Sequence, residues 1–314
     1  MSMDIRQGDC RELLREMPAG SVRCCVTSPP YWGLRDYGHA GQLGLEPTPE
    51  EYVARLVEVF REVRRVLADD GTLWLNLGDS YASGGRGGGM EGEAGEKQRS
   101  NFGALLGPKK APDGLKPKDL VGIPWRVAFA LQADGWYLRS DIIWAKPNPM
   151  PESVTDRPTK AHEYLFLLAK SQRYYYDAWA VSEPATHAGK VVNLGEKSLS
   201  RGQAAGAGVK ASGNGTADSV TVADLRNRRT VWTVPTQPFS GAHFAVMPEA
   251  LVEPCVLAGS APGDTVLDPF AGSGTVGVVA LRYGRRFIGC ELNAEYCQMA
   301  RRRVAGPLFA EVAP

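Results

Sequence analysis

The strongest hydrophobic pattern in this chain is helical and lies in residues 48–71. Apolar positions recur there every three or four residues, Thr48 can cap the helix, Pro49 suits its first turn, and Gly71 follows its predicted end. Shorter patterns, the first of them capped by Asp9, predict further helices at 9–18, 118–135, 248–260, 275–284 and 294–304.

Short runs of β-branched and apolar residues lie between these helices and predict strands. The runs cover 3–8, 22–27, 72–79, 136–146, 163–171, 173–179, 264–270 and 285–292. The runs 163–171 and 173–179 follow each other so closely that they predict a hairpin. Strands that alternate with helices favour an α/β fold whose largely parallel sheet is covered on both faces.

Two polar, glycine-rich segments interrupt the pattern, at 80–117 and 183–235. Because neither has clear periodicity, we expect loops or irregular inserts on the rim of the sheet. The predicted organisation is a single domain made of 1–182 and 236–314. The insert 80–117 lies within its first part, and 183–235 is a region of separate character.

Composition excludes several classes of protein. The 314 residues include 43% hydrophobic residues and carry a net charge of +1, so nucleic-acid contacts would require local basic clusters. No apolar run could span a bilayer and no secretory signal is visible, so we predict a cytoplasmic protein without a membrane partner. The six cysteines and four histidines form no metal-binding motif, which predicts reduced core thiols and no metal site.

A glycine turn near the C-terminus, "VLDPFAGSGT", has the layout of a nucleotide-type cofactor site. Asp268 ends a predicted strand, Gly272 and Gly274 occupy the turn into a helix, and Glu291 ends the next strand. Glycines let a ligand approach the backbone, and the acid can bind ribose hydroxyls. We expect a ligand with a carboxylate, a ribose diol and an adenine, such as S-adenosylmethionine. An NAD-type oxidoreductase is the alternative, and it leaves "SPPY" at 28–31 unexplained.

Three segments together, "TSPPYW", "LDPFAGSGT" and "IGCEL", resemble the amino-group DNA methyltransferases. The Ser-Pro-Pro-Tyr segment precedes the glycine turn in the chain. This order of the two motifs resembles the permuted group of the family, called the β class. The resemblance covers nearly all of the chain outside 80–117 and 183–235. It implies a Rossmann-like, circularly permuted α/β fold with a seven-stranded, mostly parallel sheet and one antiparallel strand. It also implies a small irregular target-recognition insert at 183–235.

The same resemblance implies the roles of individual residues. The predicted catalytic residues are Ser28, Pro29, Pro30 and Tyr31. The predicted cofactor-binding residues are Asp9, Cys10, His243, Phe244, Asp268, Pro269, Phe270, Gly272, Gly274, Thr275, Glu291 and Leu292. The predicted DNA-binding residues are Lys146, Arg157, Arg226, Arg228 and Arg229. For Asp9, a purely structural role as a helix cap is an equal alternative.

The chemistry of an exocyclic amine explains why the resemblance centres on Ser-Pro-Pro-Tyr. The amine of a base is a poor nucleophile because its lone pair is delocalised into the ring. Ser28 Oγ and a prolyl carbonyl, which we assign to Pro29, can accept hydrogen bonds from it and turn the lone pair toward the methyl donor. Tyr31 offers a ring on which a flipped base stacks.

Serine at position 28 resembles family members that methylate cytosine at N4, whereas aspartate is commoner among N6-adenine enzymes. We therefore predict a site-specific N4-cytosine DNA methyltransferase that uses S-adenosylmethionine, with N6-adenine as the alternative. A non-catalytic DNA-binding module is a further hypothesis.

The resemblance also implies partners. They are double-stranded DNA, a cognate restriction endonuclease and a second copy in a homodimer, although solitary members exist. Two remaining motifs are interpreted as structural. Pro254-Cys255 has the Pro-Cys pair of C5-cytosine enzymes but lies in a predicted helix, and His162-Glu163 starts a predicted strand. For His162-Glu163, a place in a loop near the target base is the alternative.

Overall fold

The computed structural model describes residues 2–33, 41–82, 114–186, 188–189, 191–193, 209–210, 219–222, 224–237 and 246–306. The chain divides into two compact units: Met1–Tyr175 with Val231–Pro314, and Tyr176–Thr230. Much of the two polar segments, together with His243 and Phe244, lies outside the described residues.

The larger unit contains helices and one sheet, with strands numbered along the whole chain. The sheet strands are β1 Met3–Gln7, β2 Val22–Thr27, β3 Leu67–Leu77, β4 Tyr137–Ala145, β5 His162–Ala169, β11 Val231–Thr233, β12 Thr265–Asp268 and β13 Arg286–Glu291. The helices are α1 Cys10–Arg15, α2 Pro49–Val66, α3 Ile123–Ala133, α4 Glu249–Gly259, α5 Thr275–Arg282 and α6 Ala294–Val304. Within the described ranges, no helix has the length and apolar character needed to cross a membrane.

The smaller unit contains only short strands in its described part. They are β6 Glu183–Pro184, β7 Val191–Asn193, β8 Val209–Lys210, β9 Ser219–Val222 and β10 Leu225–Arg226. β6 pairs with β10, and β9 pairs with both β7 and β8, in each case antiparallel.

The sheet of the larger unit has the order β1-β13-β12-β2-β3-β5-β4-β11. β5 runs antiparallel to both of its neighbours, and every other pair in the sheet is parallel. The mostly parallel α/β sheet with one reversed strand is therefore confirmed. It has eight strands, not seven, because β11 pairs with β4 at the edge, although its residues lie within the expected insert 183–235.

The first strand of the chain lies beside the last strand. β1 pairs in parallel with β13, from Met3 opposite Phe287 to Gln7 opposite Glu291. Arg301 of α6 donates a hydrogen bond to the Ile5 carbonyl at 2.7 Å, which ties the C-terminal helix to the same strand. The two ends of the sequence thus build one side of the sheet.

The predicted hairpin of 163–171 with 173–179 is wrong. The first run forms β5, but 173–179 is not a strand. Both edges of β5 are already occupied, one by β3 and the other by β4. The aromatic run at 174–176 has a high β propensity, yet it has no free edge on β5 with which to pair.

The predicted end of the long helix is also wrong. Thr48 caps it as expected, because its Oγ1 accepts from the Glu51 N–H at 3.2 Å. However, α2 ends at Val66, and β3 begins at the next residue. Gly71 lies inside β3, where a Cβ would come within 3.0 Å of the Arg23 carbonyl. Its glycine therefore permits a close approach of two strands and does not end the helix.

Helices cover both faces of the sheet. On one face, buried residues of α1, α2 and α3 pack with Cys25 of β2 and Phe166 of β5. On the other face α4 lies so close that a Cβ on Gly259 would be 2.6 Å from Cys24 Sγ and 2.8 Å from Trp74 Nε1. Adjacent residues 24 and 25 thus point to opposite faces, as strand geometry requires.

All six cysteines are free and buried, as predicted. Cys255 is fully buried within α4, and its Sγ donates to the Leu251 carbonyl at 3.3 Å. The Pro-Cys pair at 254–255 is therefore a feature of a core helix.

We expect Gly259→Ala to destabilise the fold by about 1–3 kcal/mol, because the added methyl group overlaps Cys24 and Trp74 in a packed interior. The measurement is the free energy of unfolding from urea titration. Ala250→Ser, an exposed change in the first turn of α4, is the control and should stay within about 0.5 kcal/mol. Equal stability of the two variants would contradict the close contact of α4 with the sheet.

Candidate functional site

A cavity of about 870 Å³ opens where the carboxyl ends of β1, β2, β12 and β13 meet at one edge of the sheet. Residues 28–31, directly after β2, line it together with residues 269–273, directly after β12. The fold therefore brings the Ser-Pro-Pro-Tyr segment and the glycine turn to a single cavity.

Most of the predicted site residues line this cavity. They are Asp9, Cys10, Ser28, Pro29, Pro30, Tyr31, Lys146, Asp268, Pro269, Phe270, Gly272, Thr275, Glu291 and Leu292. Gly274 and Arg157 do not line it. The Arg157 guanidinium lies 4.0 Å from the centre of the Tyr81 ring and donates to Glu152 at 2.7 Å.

Three of the predicted DNA-binding residues belong to the smaller unit: Arg226, Arg228 and Arg229. Arg226 and Arg229 both donate to Glu183 Oε1, at 3.0 Å and 2.5 Å. Arg228 lies between them in the same segment. Among the described residues, no group of three or more metal-ligating side chains could hold a metal ion.

A buried hydrogen bond joins the two turns. Thr27 Oγ1, at the end of β2, donates to Asp268 Oδ1 at 2.6 Å, and the Phe270 N–H donates to the same oxygen at 3.0 Å. Asp268 is only 2% exposed. Burial raises the pKa of its carboxyl to about 7, although the two hydrogen bonds oppose the shift.

The glycine turn is held by Glu291 at the end of β13. Its Oε2 accepts from the Gly272 N–H at 2.9 Å, and its Oε1 accepts from the Asn293 N–H at 2.8 Å. Gly272 has φ +50° and Gly274 has φ +80°, where residues with a side chain are strained. A Cβ on Gly274 would also lie 3.0 Å from Ala300 and Val304, so Gly274 is required for packing against α6.

The chemistry of a ligand cannot be inferred from the glycine spacing alone. Residues 272–277, "GSGTVG", also match the G-x-G-x-x-G spacing of dinucleotide sites. The Thr275 hydroxyl accepts from Arg303 at 2.8 Å, which favours a role for Thr275 in holding the turn.

The Ser-Pro-Pro-Tyr turn is fixed by contacts on both sides. Tyr52 of α2 donates its hydroxyl to the Pro30 carbonyl at 2.7 Å. The Tyr31 ring packs on Gly78, where a Cβ would lie 2.5 Å from Tyr31 Cε2. Ser28 Oγ lies 3.3 Å from the Tyr31 hydroxyl. These contacts hold the turn, and with it the Ser28 hydroxyl and the prolyl carbonyls, in a fixed position.

The position of Asp9 is compatible with both of the roles that the sequence left as alternatives. Its Oδ1 accepts from the Arg11 N–H at 2.8 Å and caps α1, and the carboxylate also lines the cavity. The hydrogen bond from the Arg11 guanidinium lowers the pKa of Asp9, so the carboxylate is ionised at neutral pH.

A polar cluster around Glu163 also lines the cavity; the sequence favoured a structural role for Glu163 and assigned no role to Asn76 or Lys160. Glu163 accepts from the Tyr31 hydroxyl at 2.7 Å, from Asn76 at 3.2 Å and from Lys146 at 2.5 Å. Lys160, whose pKa is lowered by burial, donates to the Asp79 carbonyl at 3.0 Å. The available signal was Asn76, the one polar residue in the otherwise apolar run 73–77 of β3.

The comparisons with known proteins agree on one family. A family model described as DNA methylase matches residues 22–302 of this chain. The type II methyltransferase M.Cfr9I of Citrobacter freundii is 52% identical over 300 residues, covering 96% of this chain and 87% of that protein. The type II methyltransferase M.SmaI of Serratia marcescens is 49% identical over 304 residues, covering 96% of this chain and 91% of that protein.

Solved structures share the fold over almost the whole chain. The PvuII DNA methyltransferase, which is cytosine-N4-specific, matches with a TM-score of 0.62 at 19% identity, over 96% of this chain and 85% of that one. TTHA0409 from Thermus thermophilus, complexed with S-adenosyl-L-methionine, matches with a TM-score of 0.57 at 25% identity, over 97% and 95%. The first likeness is evidence for the fold alone.

Asp268 should give the folding stability a pH dependence that Asp268→Asn lacks. Its folded-state pKa of about 7 lies above the ordinary 3.8, so between these values the folded protein holds a proton that the unfolded chain has released. This contribution to stability is complete below the ordinary pKa and is lost as the pH rises through the folded one. The loss is about 1.4 kcal/mol per pH unit at most.

Urea titrations of both proteins at about pH 5 and about pH 8 measure the effect. The stability of Asp268→Asn relative to the wild type should be higher at the upper pH. The amide oxygen can still accept from Thr27 and Phe270, so the variant keeps these contacts. The same stability difference at both pH values would contradict the raised pKa.

Proposed function

This chain belongs to the DNA methylase family, and from this premise we propose that it transfers a methyl group from S-adenosylmethionine to N4 of a flipped cytosine in double-stranded DNA. The single observation that carries the proposal is the shared cavity. Ser28, Pro29 and Tyr31 line it together with Asp268, Gly272 and Glu291.

The proposed acceptors for the target amine are Ser28 Oγ and the Pro29 carbonyl. The Pro30 carbonyl already accepts from Tyr52, whereas no hydrogen bond to the Pro29 carbonyl is found among the described residues. Two acceptors on one side of the amine bind its two N–H groups and direct its lone pair away from the ring. This geometry makes the nitrogen a better nucleophile and supplies much of the rate through orientation.

Tyr31 is proposed as the ring on which the flipped base stacks. A base that leaves the double helix loses its stacking partners, and an aromatic ring in the cavity replaces one of them. The contact of Tyr31 with Gly78 holds the ring in place before the base arrives, so little ordering is needed on binding.

The residues around the glycine turn fit S-adenosylmethionine by their chemistry. Glu291 can accept from ribose hydroxyls, Asp9 from the adenine amine, and the backbone at Gly272 is open because its residue lacks a Cβ. Once bound, this cofactor supplies an electrophilic methyl group. TTHA0409, which is 25% identical, is complexed with the same compound.

The finer assignments follow from the resemblance. The order of the two motifs favours the permuted β class, and serine at position 28 favours cytosine over adenine. Lys146, Arg157 and the arginines at 226–229 are proposed contacts for DNA, with 183–235 as the target-recognition region. The relatives named as type II methyltransferases favour a restriction-modification system with a cognate endonuclease. A homodimer remains a prediction.

We expect Ser28→Ala to lower kcat for DNA methylation about 100-fold, because one of two acceptors for the amine is lost. The dissociation constants for DNA and for S-adenosylhomocysteine, measured by calorimetry, should change little. Ser21→Ala is the matched control, since Ser21 immediately precedes the far end of β2 and donates to the Pro18 carbonyl at 2.7 Å. Equal rates for both variants would exclude Ser28 from the site.

The base that is modified can be identified directly. DNA from cells that express the protein should contain N4-methylcytosine, detected by mass spectrometry of the nucleosides. N6-methyladenine without N4-methylcytosine would overturn the choice of cytosine and leave the methyltransferase assignment intact. Methyl-sensitive long-read sequencing of the same DNA would give the recognition sequence.

A further inference from the structure

The proposed mechanism gives no role to Glu163, although its carboxylate lies in the same cavity. The side chains of Glu163 and Lys146 are only 15% and 17% exposed, and they form an ion pair at 2.5 Å. A charged pair with so little exposure rarely adds stability over apolar residues of similar size. A specific task at the site would explain why the cavity contains it.

The hydrogen bonds around Asn76 fix the orientation of its amide. Its Nδ2 donates to Glu163 Oε2 at 3.2 Å and to the Tyr164 carbonyl at 3.1 Å, and both of these oxygens can only accept. The amide oxygen therefore faces the Tyr31 hydroxyl, at 3.1 Å. Tyr31 thus meets two acceptors, Asn76 Oδ1 and Glu163 Oε2.

Tyr31 has a single proton, and the shorter contact to Glu163, at 2.7 Å, defines its direction. Burial and then the charge of Glu163 raise the pKa of Tyr31 well above its ordinary value, so it remains a neutral phenol. With its proton committed to Glu163, the phenol oxygen can only accept from Ser28, 3.3 Å away. The Ser28 proton then points at Tyr31, and the Ser28 lone pairs remain for a ligand.

We propose that Glu163 is a positioning residue that acts through Tyr31 to make Ser28 an obligate acceptor, so that the pocket admits a base with an exocyclic amine and rejects one with a carbonyl there. The proposal rests on the function above for the identity of the ligand as a flipped base. Cytosine presents N–H groups at this position of its ring, whereas uracil presents an oxygen that can only accept. An oxygen placed against the Ser28 lone pairs would lack a hydrogen-bond partner, which costs affinity.

Glu163→Gln should disturb this order without changing the shape of the site. The amide oxygen is expected to face the Lys146 ammonium, which can only donate, so the amide NH₂ would face Tyr31. Tyr31 would then accept from Gln, and its proton could turn either to Asn76 Oδ1 or to Ser28, so the direction of the last hydrogen bond in the chain is no longer fixed. Ser28 could present a proton to the base, and the distinction between amine and carbonyl would weaken.

The test compares binding of duplexes that carry cytosine or uracil at the target position, each opposite an abasic site so that the two bases flip with equal ease. The wild type should prefer cytosine, and Glu163→Gln should reduce this preference about tenfold. In methylation assays kcat should fall about tenfold or more, while KM for DNA stays within about twofold. A purely structural role would not change the ratio of the two bases.

Glu253→Gln is the matched control, because Glu253 of α4 accepts from the Tyr283 hydroxyl at 2.7 Å outside the cavity. The Glu253→Gln variant loses the same kind of hydrogen bond between a phenol and a carboxylate. It should keep the kcat and the base preference of the wild type. Tyr31→Phe, which keeps the ring but breaks the chain, should reproduce the effect of Glu163→Gln, and the double variant should be no worse. This second variant decides the question if Glu163→Gln does not fold.

An unchanged preference for cytosine in both Glu163→Gln and Tyr31→Phe would overturn the inference, and so would equal losses in Glu163→Gln and Glu253→Gln. Neither result affects the proposed function, provided that the wild type methylates DNA. A wild type that methylates no DNA would refute the function itself. The two failures are therefore distinguished by the wild-type reaction.

Discussion

The site depends on the parallel pairing of β2 with β12, which the hydrogen bond from Thr27 to Asp268 completes. Cys24 lies opposite Val266 and Cys25 opposite Leu267, so the two strands end side by side. The Thr27 hydroxyl then meets the Asp268 carboxyl at 2.6 Å, between residues 241 positions apart in the chain. Because both turns begin where these strands end, this one register places the proposed acceptors of the amine next to the proposed cofactor turn.

The two sides of the cavity hold carboxyl groups in different environments. On the side of β12, Asp268 is isolated from water and its pKa rises, so it acts as a structural hydrogen-bonding group. On the side of β5, Glu163 keeps a cationic partner in Lys146 and accepts three hydrogen bonds. The first arrangement fixes the turns, and the second draws the Tyr31 proton toward Glu163, so that Ser28 donates to Tyr31. The cavity at the carboxyl ends of the strands thus has firmly held turns on one side and a directed hydrogen-bond network on the other.

Much of the fold could be predicted from the sequence because its signals are local. The caps at Asp9 and Thr48, the amphipathic α2 and the glycine turn after β12 each depend on residues within one segment. The glycine turn at 269–272 was found because it follows a predicted strand, whereas 28–31 were assigned through the family resemblance. The two meet because strand ends followed by turns mark one edge of a parallel sheet. The errors arose where local preference met a tertiary constraint. The run at 173–179 has β propensity without an available edge, and Gly71 permits a close approach within β3.

The cluster around Glu163 shows why the remainder could not be predicted. Asn76 lies opposite Leu165, and Trp144 lies opposite Glu163. Asn76 and Lys146 are therefore both diagonal neighbours of Glu163 on one face of the sheet, within reach of long side chains. A shift of one residue in either register would turn Glu163 to the other face, away from the cavity. No property of the segment 162–169 alone determines that register, because it depends on two partner strands outside the segment, one of them β3, which lies about 90 residues earlier in the chain. The proposed orientation of the Ser28 proton thus depends on strand pairing, which local sequence patterns do not specify.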